Sequence, residues 1–187
     1  MHDSLTQLPN RVLFTDRLKH AINYSKRHAE YIFSVFFIDI DDFKIVNDSL
    51  GHAVGDELIV CFTERVQKQL RESDTLARLG GDEFAILLEN NSAKKTSVMI
   101  AKRIQESLRP PYILAGKSFY NSASIGIVLN TKKYDDPDDI LQDADFAMYR
   151  AKALGKARYV IFTSGLRTET ISRLELESQL RNAIDKH

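Results

Sequence analysis

Two groups of acidic residues carry the chemistry this chain could do. The first is Gly80-Gly81-Asp82-Glu83-Phe84, two glycines followed at once by two carboxylates. Adjacent glycines accept positive φ at both central positions of a tight hairpin turn. They also leave the backbone bare, so that a ligand can press against it. Neighbouring carboxylates repel each other unless a cation lies between them. The second group, Asp39-Ile40-Asp41-Asp42-Phe43-Lys44, closes the apolar run Ile32-Phe33-Ser34-Val35-Phe36-Phe37-Ile38. Acidic side chains at the end of a buried strand suit a hard cation that also touches phosphate oxygens. Asn47, Asp48 and Gly51-His52-Ala53-Val54-Gly55-Asp56 follow. Taken singly, the glycine pair also reads as a plain turn and Asp39 as the cap of a short helix. The two groups together favour ion and phosphate chemistry.

Such groups need strands and helices to hold them. Segments 75–79 and 84–88 flank the glycine pair and read as strands. Segment 31–40 is β-branched and aromatic, and reads as a buried first strand. Asn10 is the expected N-cap of a helix over 11–30, with Leu13, Leu18, Ala21 and Ile22 on its apolar face. Further helices are expected over 43–49, 54–71 and 93–108, the last closed by Arg109-Pro110-Pro111. Segments 112–114 and 118–129 flank Ala115-Gly116 and read as another hairpin. Asp136 caps a helix with Pro137 at its first position, Leu141, Ala144, Met148 and Ala151 on one face, and Gly155 as its stop. A last strand covers 158–162. Strands interleaved with helices and joined by hairpins indicate an α/β or α+β sheet with helices packed on it.

With 187 residues, 43% of them apolar, the chain can bury one core and carry an appendage. Lys plus Arg equals Asp plus Glu at 26 each, so no net field argues for nucleic acid or an anionic membrane as partner. The single cysteine, Cys61, excludes an internal disulfide, fits a reducing compartment and reads as a small core residue. No apolar stretch has the length of a membrane span and no signal peptide opens the chain. A cytoplasmic setting is expected, with any anchor elsewhere in a parent protein. The chain opens almost inside a motif, which suggests a piece of something longer.

The motifs Asp39-Ile40-Asp41-x-Phe43-Lys44-x-x-Asn47-Asp48, Gly51-His52-x-x-Gly55-Asp56 and Gly80-Gly81-Asp82-Glu83-Phe84 together resemble the GGDEF-type diguanylate cyclases. Supporting matches are Asp3-x-Leu5-Thr6-x-Leu8-Pro9-Asn10-Arg11 and Asp143-Ala144-Asp145-x-Ala147-Met148-Tyr149-Arg150-Ala151-Lys152. The resemblance implies a palm-like, mainly antiparallel sheet flanked by helices, as in nucleotidyl cyclases. It also implies a domain over 1–162 that condenses two GTP into cyclic di-GMP with Mg²⁺ or Mn²⁺, as a homodimer. Gln7 and Ala157 depart mildly from the family pattern, where glycine and asparagine are frequent. Residues 163–187 resemble an amphipathic connector toward an EAL-type phosphodiesterase domain, with Ile171, Leu174, Leu176, Leu180 and Ile184 on its apolar stripe.

Residue by residue, the resemblance makes Asp39 and Asp82 metal carboxylates, with the Ile40 carbonyl as a backbone ligand. Glu83 stands beside the metal or the attacking hydroxyl. Asp41 is left outside the metal shell, with a structural acceptor role as the other choice. Phe43 and Lys44 begin a helix whose first amides cradle phosphate, and Gly80 and Gly81 let the nucleotide approach. Lys152 and Lys156 reach the terminal phosphates, or alternatively serve the end of their own helix. Asn47 and Asp56 read the guanine edge, although Asp56 would equally suit the first turn of a helix. His52 is structural. Arg71 and Asp74 match an inhibitory product site; Arg-x-x-Asp is also a common solvated ion pair. The competing function is a catalytically silent GTP-binding module that regulates a neighbouring phosphodiesterase.

Overall fold

The computed structural model describes residues 1–89, 94–129 and 131–166. Asn10 accepts a hydrogen bond from the Leu13 N–H (3.1 Å) and starts α1 (Arg11–Arg27). Phe14, Leu18, Ala21 and Ile22 are buried, and the helix ends at Arg27 rather than near residue 30. Strand β1 (Ser34–Ile40) is buried at all seven positions, as a strand covered on both faces must be. Helices α2 (Phe43–Leu50) and α3 (His52–Gln67) follow, separated by Gly51, whose φ of +86° makes the corner. The α3 span lies earlier than expected at both ends because Gly51 already turns the chain. The hairpin β2 (Thr75–Gly80) and β3 (Glu83–Leu88) leads to α4 (Lys94–Leu108).

The expected strand over 118–129 divides in two. β4 (Tyr112–Leu114) and β5 (Lys117–Phe119) form a separate two-stranded sheet around Ala115-Gly116. β6 (Ala123–Val128) instead joins the main sheet. A 3-10 turn (Thr131–Lys133) precedes α5 (Pro137–Ala153), which Asp136 caps by accepting from the Asp138 N–H, and β7 (Tyr159–Ile161) closes the sheet. The strand order is β2-β3-β1-β6-β7, antiparallel except for β6–β7. The architecture is therefore a mixed α/β fold with a mainly antiparallel central sheet, as expected.

Strand alternation divides the core in two. Phe36, Ile38 and Ile40 face α3 and α4, packing with Leu58, Phe62, Phe84 and Ile104. Val35 and Phe37 face α1 and α5, packing with Phe14, Leu18, Ala144 and Met148. Gly126 lets α5 lie against β6: a Cβ there would fall 1.9 Å from the Ala144 carbonyl oxygen and 2.3 Å from the Met148 nitrogen. Cys61 is half-buried at the margin of the α3 side of the core. No helix among the described residues is long and apolar enough to cross a membrane. The expected connector helix lies almost wholly beyond the described residues.

Candidate active site

The site assembles at one end of the sheet, where β1 ends, β2 turns into β3, α2 begins and α5 finishes. Asp39 shares the parity of Val35 and Phe37, so it emerges on the α1/α5 side, and its Cα partner on β3 is Glu83. The hairpin differs in detail from expectation. Its two turn residues are Gly81 and Asp82, because Gly80 is still paired with Glu83 as the last residue of β2. The β2–β3 register shifts between Arg78 and Gly80, and φ is +150° at Gly80 and +52° at Gly81. Both glycines carry backbone that L side chains rarely adopt, and space beside both is open. Asp82 is thereby aimed from a tight turn, and its carbonyl accepts from the Ile40 N–H (3.3 Å).

Asp39 is 7% exposed. Its buried Oδ1 is ion-paired with Lys152 Nζ at 2.7 Å. Burial is the largest influence on the Asp39 carboxyl and lifts its pKa to about 6; Lys152 opposes the shift, while the Asp82 and Asp41 charges add to it. Glu83 is also raised, by burial first, with Asp145 and Asp82 adding and Arg11 opposing. Arg11 Nη2 stands 3.6 Å from Glu83 Oε2. Several carboxylates are thus crowded against two cations, Arg11 and Lys152, neither of which the motif reading had set against them. Lys152 comes from the last turn of α5, whose approach Gly126 permits.

An oxygen-only set around a buried carboxylate, with further acidic groups beside it, suits a hard divalent cation. No three acidic or histidine side chains among the described residues are gathered tightly enough to enclose an ion by themselves.

Asp41 is fully engaged. Its carboxylate accepts from Ser122 Oγ (2.6 Å), Ser124 Oγ (2.7 Å) and the Ala157 N–H (3.1 Å), and its carbonyl accepts from Asn121 Nδ2 (2.7 Å). It is a structural acceptor tying β1, β6 and the loop after α5 together. Asp42 sits at φ +56° before α2 without capping it; its carboxylate takes Lys156 Nζ at 2.6 Å, which raises the lysine pKa. The Ile45 and Val46 N–H groups already donate to the Asp42 carbonyl, leaving those of Phe43 and Lys44 at the open end of the helix. Both lysines assigned to phosphate therefore rest on carboxylates in this structure.

Asn47 and Asp56 belong to adjacent helices, α2 and α3. Asn47 Oδ1 is buried without a hydrogen bond, lying over Gly55, while Asp56 is exposed. Arg71 and Asp74 lie at the other end of β2 from Gly80. Asp74 Oδ2 accepts from the Arg71 N–H (2.9 Å), the Asp74 N–H donates to the Arg71 carbonyl (3.0 Å), and both residues border a cleft with Leu88 and Ile100. They are brought to each other but not to the β1 site.

A family model described as diguanylate cyclase, GGDEF domain, matches residues 1–158. The chain belongs to the GGDEF family. It is 47% identical over 152 residues to the diguanylate cyclase TpbB of Pseudomonas aeruginosa, covering 81% of this chain and 35% of that protein. It is 38% identical over 186 residues to the bifunctional diguanylate cyclase/cyclic di-GMP phosphodiesterase MucR of the same species, covering all of this chain and 27% of MucR. The cyclic di-GMP phosphodiesterase PdeR of Escherichia coli is 37% identical over 183 residues, covering 98% of this chain and 27% of PdeR. The chain thus spans about a third or less of these curated relatives. The solved GGDEF domain of P. aeruginosa TpbB superposes with a TM-score of 0.85 at 43% identity, covering 90% of this chain and 98% of that one.

Proposed function

We propose that this domain condenses two GTP molecules into cyclic di-GMP and two pyrophosphates in the cytoplasm, as a homodimer in which each copy presents one nucleotide. The observation that carries the reading is the buried Asp39 carboxylate, ion-paired with Lys152 and set beside Asp82 and Glu83. Asp39, Asp82, Glu83 and the Ile40 carbonyl would hold magnesium or manganese. A divalent ion held there would lower the proton affinity of the attacking hydroxyl and offset charge on the departing phosphates. Each 3′-hydroxyl bonds to the α-phosphorus of the other GTP, its proton is lost, and pyrophosphate leaves with the electrons of the broken P–O bond. Phosphoryl transfer asks mainly for positioning and charge neutralisation. Lys152 and Lys156 exchange their carboxylate partners for phosphate oxygens, and the Phe43 and Lys44 amides take the remaining phosphate charge. Gly80 and Gly81 admit the nucleotide against bare backbone. Asn47 Oδ1 and the Asp56 carboxylate accept from the guanine N–H groups. Arg71 and Asp74 bind product and restrain turnover.

The test is incubation of the chain with GTP and Mg²⁺, scored for cyclic dinucleotide and pyrophosphate. Asp82→Asn keeps shape and removes a ligand charge; turnover falls by roughly two orders of magnitude or more. An unchanged rate in this variant refutes the assignment. A second reading, a silent GTP-binding module regulating an adjacent EAL-type phosphodiesterase, draws support from the likeness to PdeR over nearly the whole chain. It predicts GTP binding without product.

A further inference from the structure

Arg78 is the residue through which the N-terminal segment reaches the acidic turn. Its Nε and Nη2 both donate to the Gly81 carbonyl, at 2.9 and 2.8 Å. Its Nη1 donates to both carboxylate oxygens of Asp3, at 3.1 and 3.2 Å. Its own backbone N–H donates to the Pro9 carbonyl (3.0 Å), so the first ten residues are laid along the edge strand β2 at this point. The side chains are 12% and 21% exposed, which protects the contact from full solvent screening. Asp3 is itself fixed by the Thr6 N–H (2.8 Å) and Thr6 Oγ1 (2.7 Å); burial pushes its pKa up, but the Thr6 hydrogen bonds and Arg78 together outweigh this and lower it.

The Gly81 carbonyl belongs to the peptide that joins Gly81 to Asp82. Two guanidinium hydrogen bonds on one oxygen fix the plane of that peptide, in a turn where glycine otherwise leaves the backbone free to rotate. The next carbonyl, of Asp82, accepts from the Ile40 N–H, whose residue follows Asp39. The connection therefore runs Asp3, Arg78, Gly81, Asp82, Ile40, in unbroken contact from the N-terminal loop to the end of β1.

We propose that Arg78 is a positioning residue for the Asp82 carboxylate, and that Asp3 controls it by holding the guanidinium in its fork geometry. Movement of residues 3–9 then alters the turn without touching nucleotide. The proposal rests on the cyclase reading for its kinetic consequence and on the contacts alone for its structural one. Arg78→Lys keeps a cation for Asp3 but cannot bridge Asp3 and Gly81 with a planar fork. Asp3→Asn keeps an acceptor for Thr6 and removes the charge that anchors Arg78.

Amide hydrogen exchange and GTP turnover are measured on the same variants. In Arg78→Lys, exchange at Ile40 rises about tenfold or more relative to other β1 amides, and kcat falls by about ten- to a hundredfold with the GTP KM nearly unchanged. Asp3→Asn shifts both in the same direction by less. Wild-type exchange at Ile40 in Arg78→Lys overturns the proposal. So does uniform acceleration across β1, β2 and β3 with a matching loss of thermal stability, because that marks a merely structural arginine. A wild-type chain that makes no cyclic dinucleotide defeats the cyclase reading, while the exchange result still decides the relay.

Discussion

Gly55→Ala tests the proposed recognition of guanine separately from the stability of the fold. Gly55 lies in α3, where it has ordinary helical backbone, so alanine fits the main chain. The added methyl would lie 1.9 Å from Asn47 Oδ1, 3.0 Å from its Cγ and 3.2 Å from Phe43 Cζ. Carbon contacts settle at about 3.5–4 Å, so the Asn47 amide must swing away by more than about 1 Å. The moving group is the end of a side chain, and alanine is favoured over glycine inside a helix by about 1 kcal/mol, so folding stability should change little. Binding should change much more. A guanine amine left without its acceptor costs about 1–3 kcal/mol, which is roughly five- to 150-fold in affinity. Calorimetric titration with GTP and with inosine triphosphate, which lacks the exocyclic amine, separates the effects. The variant should bind GTP about as weakly as wild type binds the inosine nucleotide, with an unchanged melting temperature. Wild-type GTP affinity, with the GTP preference intact, would refute the placing of guanine beside Asn47.

Proton and cation should compete for Asp39, whose pKa is lifted to about 6 mainly by burial. Mn²⁺ affinity should therefore fall as pH drops through about 6, and a flat profile there would contradict the assignment. Stability of the ion-free chain should run the other way: the folded state keeps the Asp39 proton to higher pH than the unfolded chain, so stability declines as pH rises from about 4 to about 6, and Asp39→Asn should remove that slope in denaturant titrations. Arg71→Ala should abolish cyclic di-GMP binding and relieve product inhibition at nearly unchanged initial rate, and Arg71→Lys should do almost the same because one ammonium lacks the planar fork; unaltered product affinity would rule the site out. Asp41→Ala leaves Ser122, Ser124 and the Ala157 amide without their acceptor and should destabilise the chain by about 3 kcal/mol or more in urea unfolding. A loss under about 1 kcal/mol would mean that water replaces the carboxylate.

Local order was legible in the sequence wherever the signal is short-range. Asn10 and Asp136 do cap their helices, and the apolar run that ends at Asp39 does form a buried strand. The acidic motifs do converge at one end of the sheet, since strand ends and tight turns are local features. What failed was the register at a bulge. Pairing of Gly80 with Glu83 moved the turn one residue on, to Gly81-Asp82, and the sequence offers no marker for such a shift. Likewise, the hairpin of β4 and β5 around Ala115-Gly116 was legible, but nothing in 118–129 announces that the strand breaks and that β6 crosses to β1.

Residue types and spacing by themselves determined a sheet with helices packed on it, the two acidic groups and their likeness to one family, because hydrophobic period, caps and turns act over a few residues. Only the tertiary structure decided partners across long separations. It placed Lys152 on Asp39, Arg78 between Asp3 and Gly81, and Asp41 among Ser122, Ser124 and Ala157. It also gave Gly126 and Gly55 their meaning, since each is glycine on account of an atom from another element that a Cβ would strike. Charge pairing and close packing depend on distances that exist only once the sheet is closed and both helical layers lie against it.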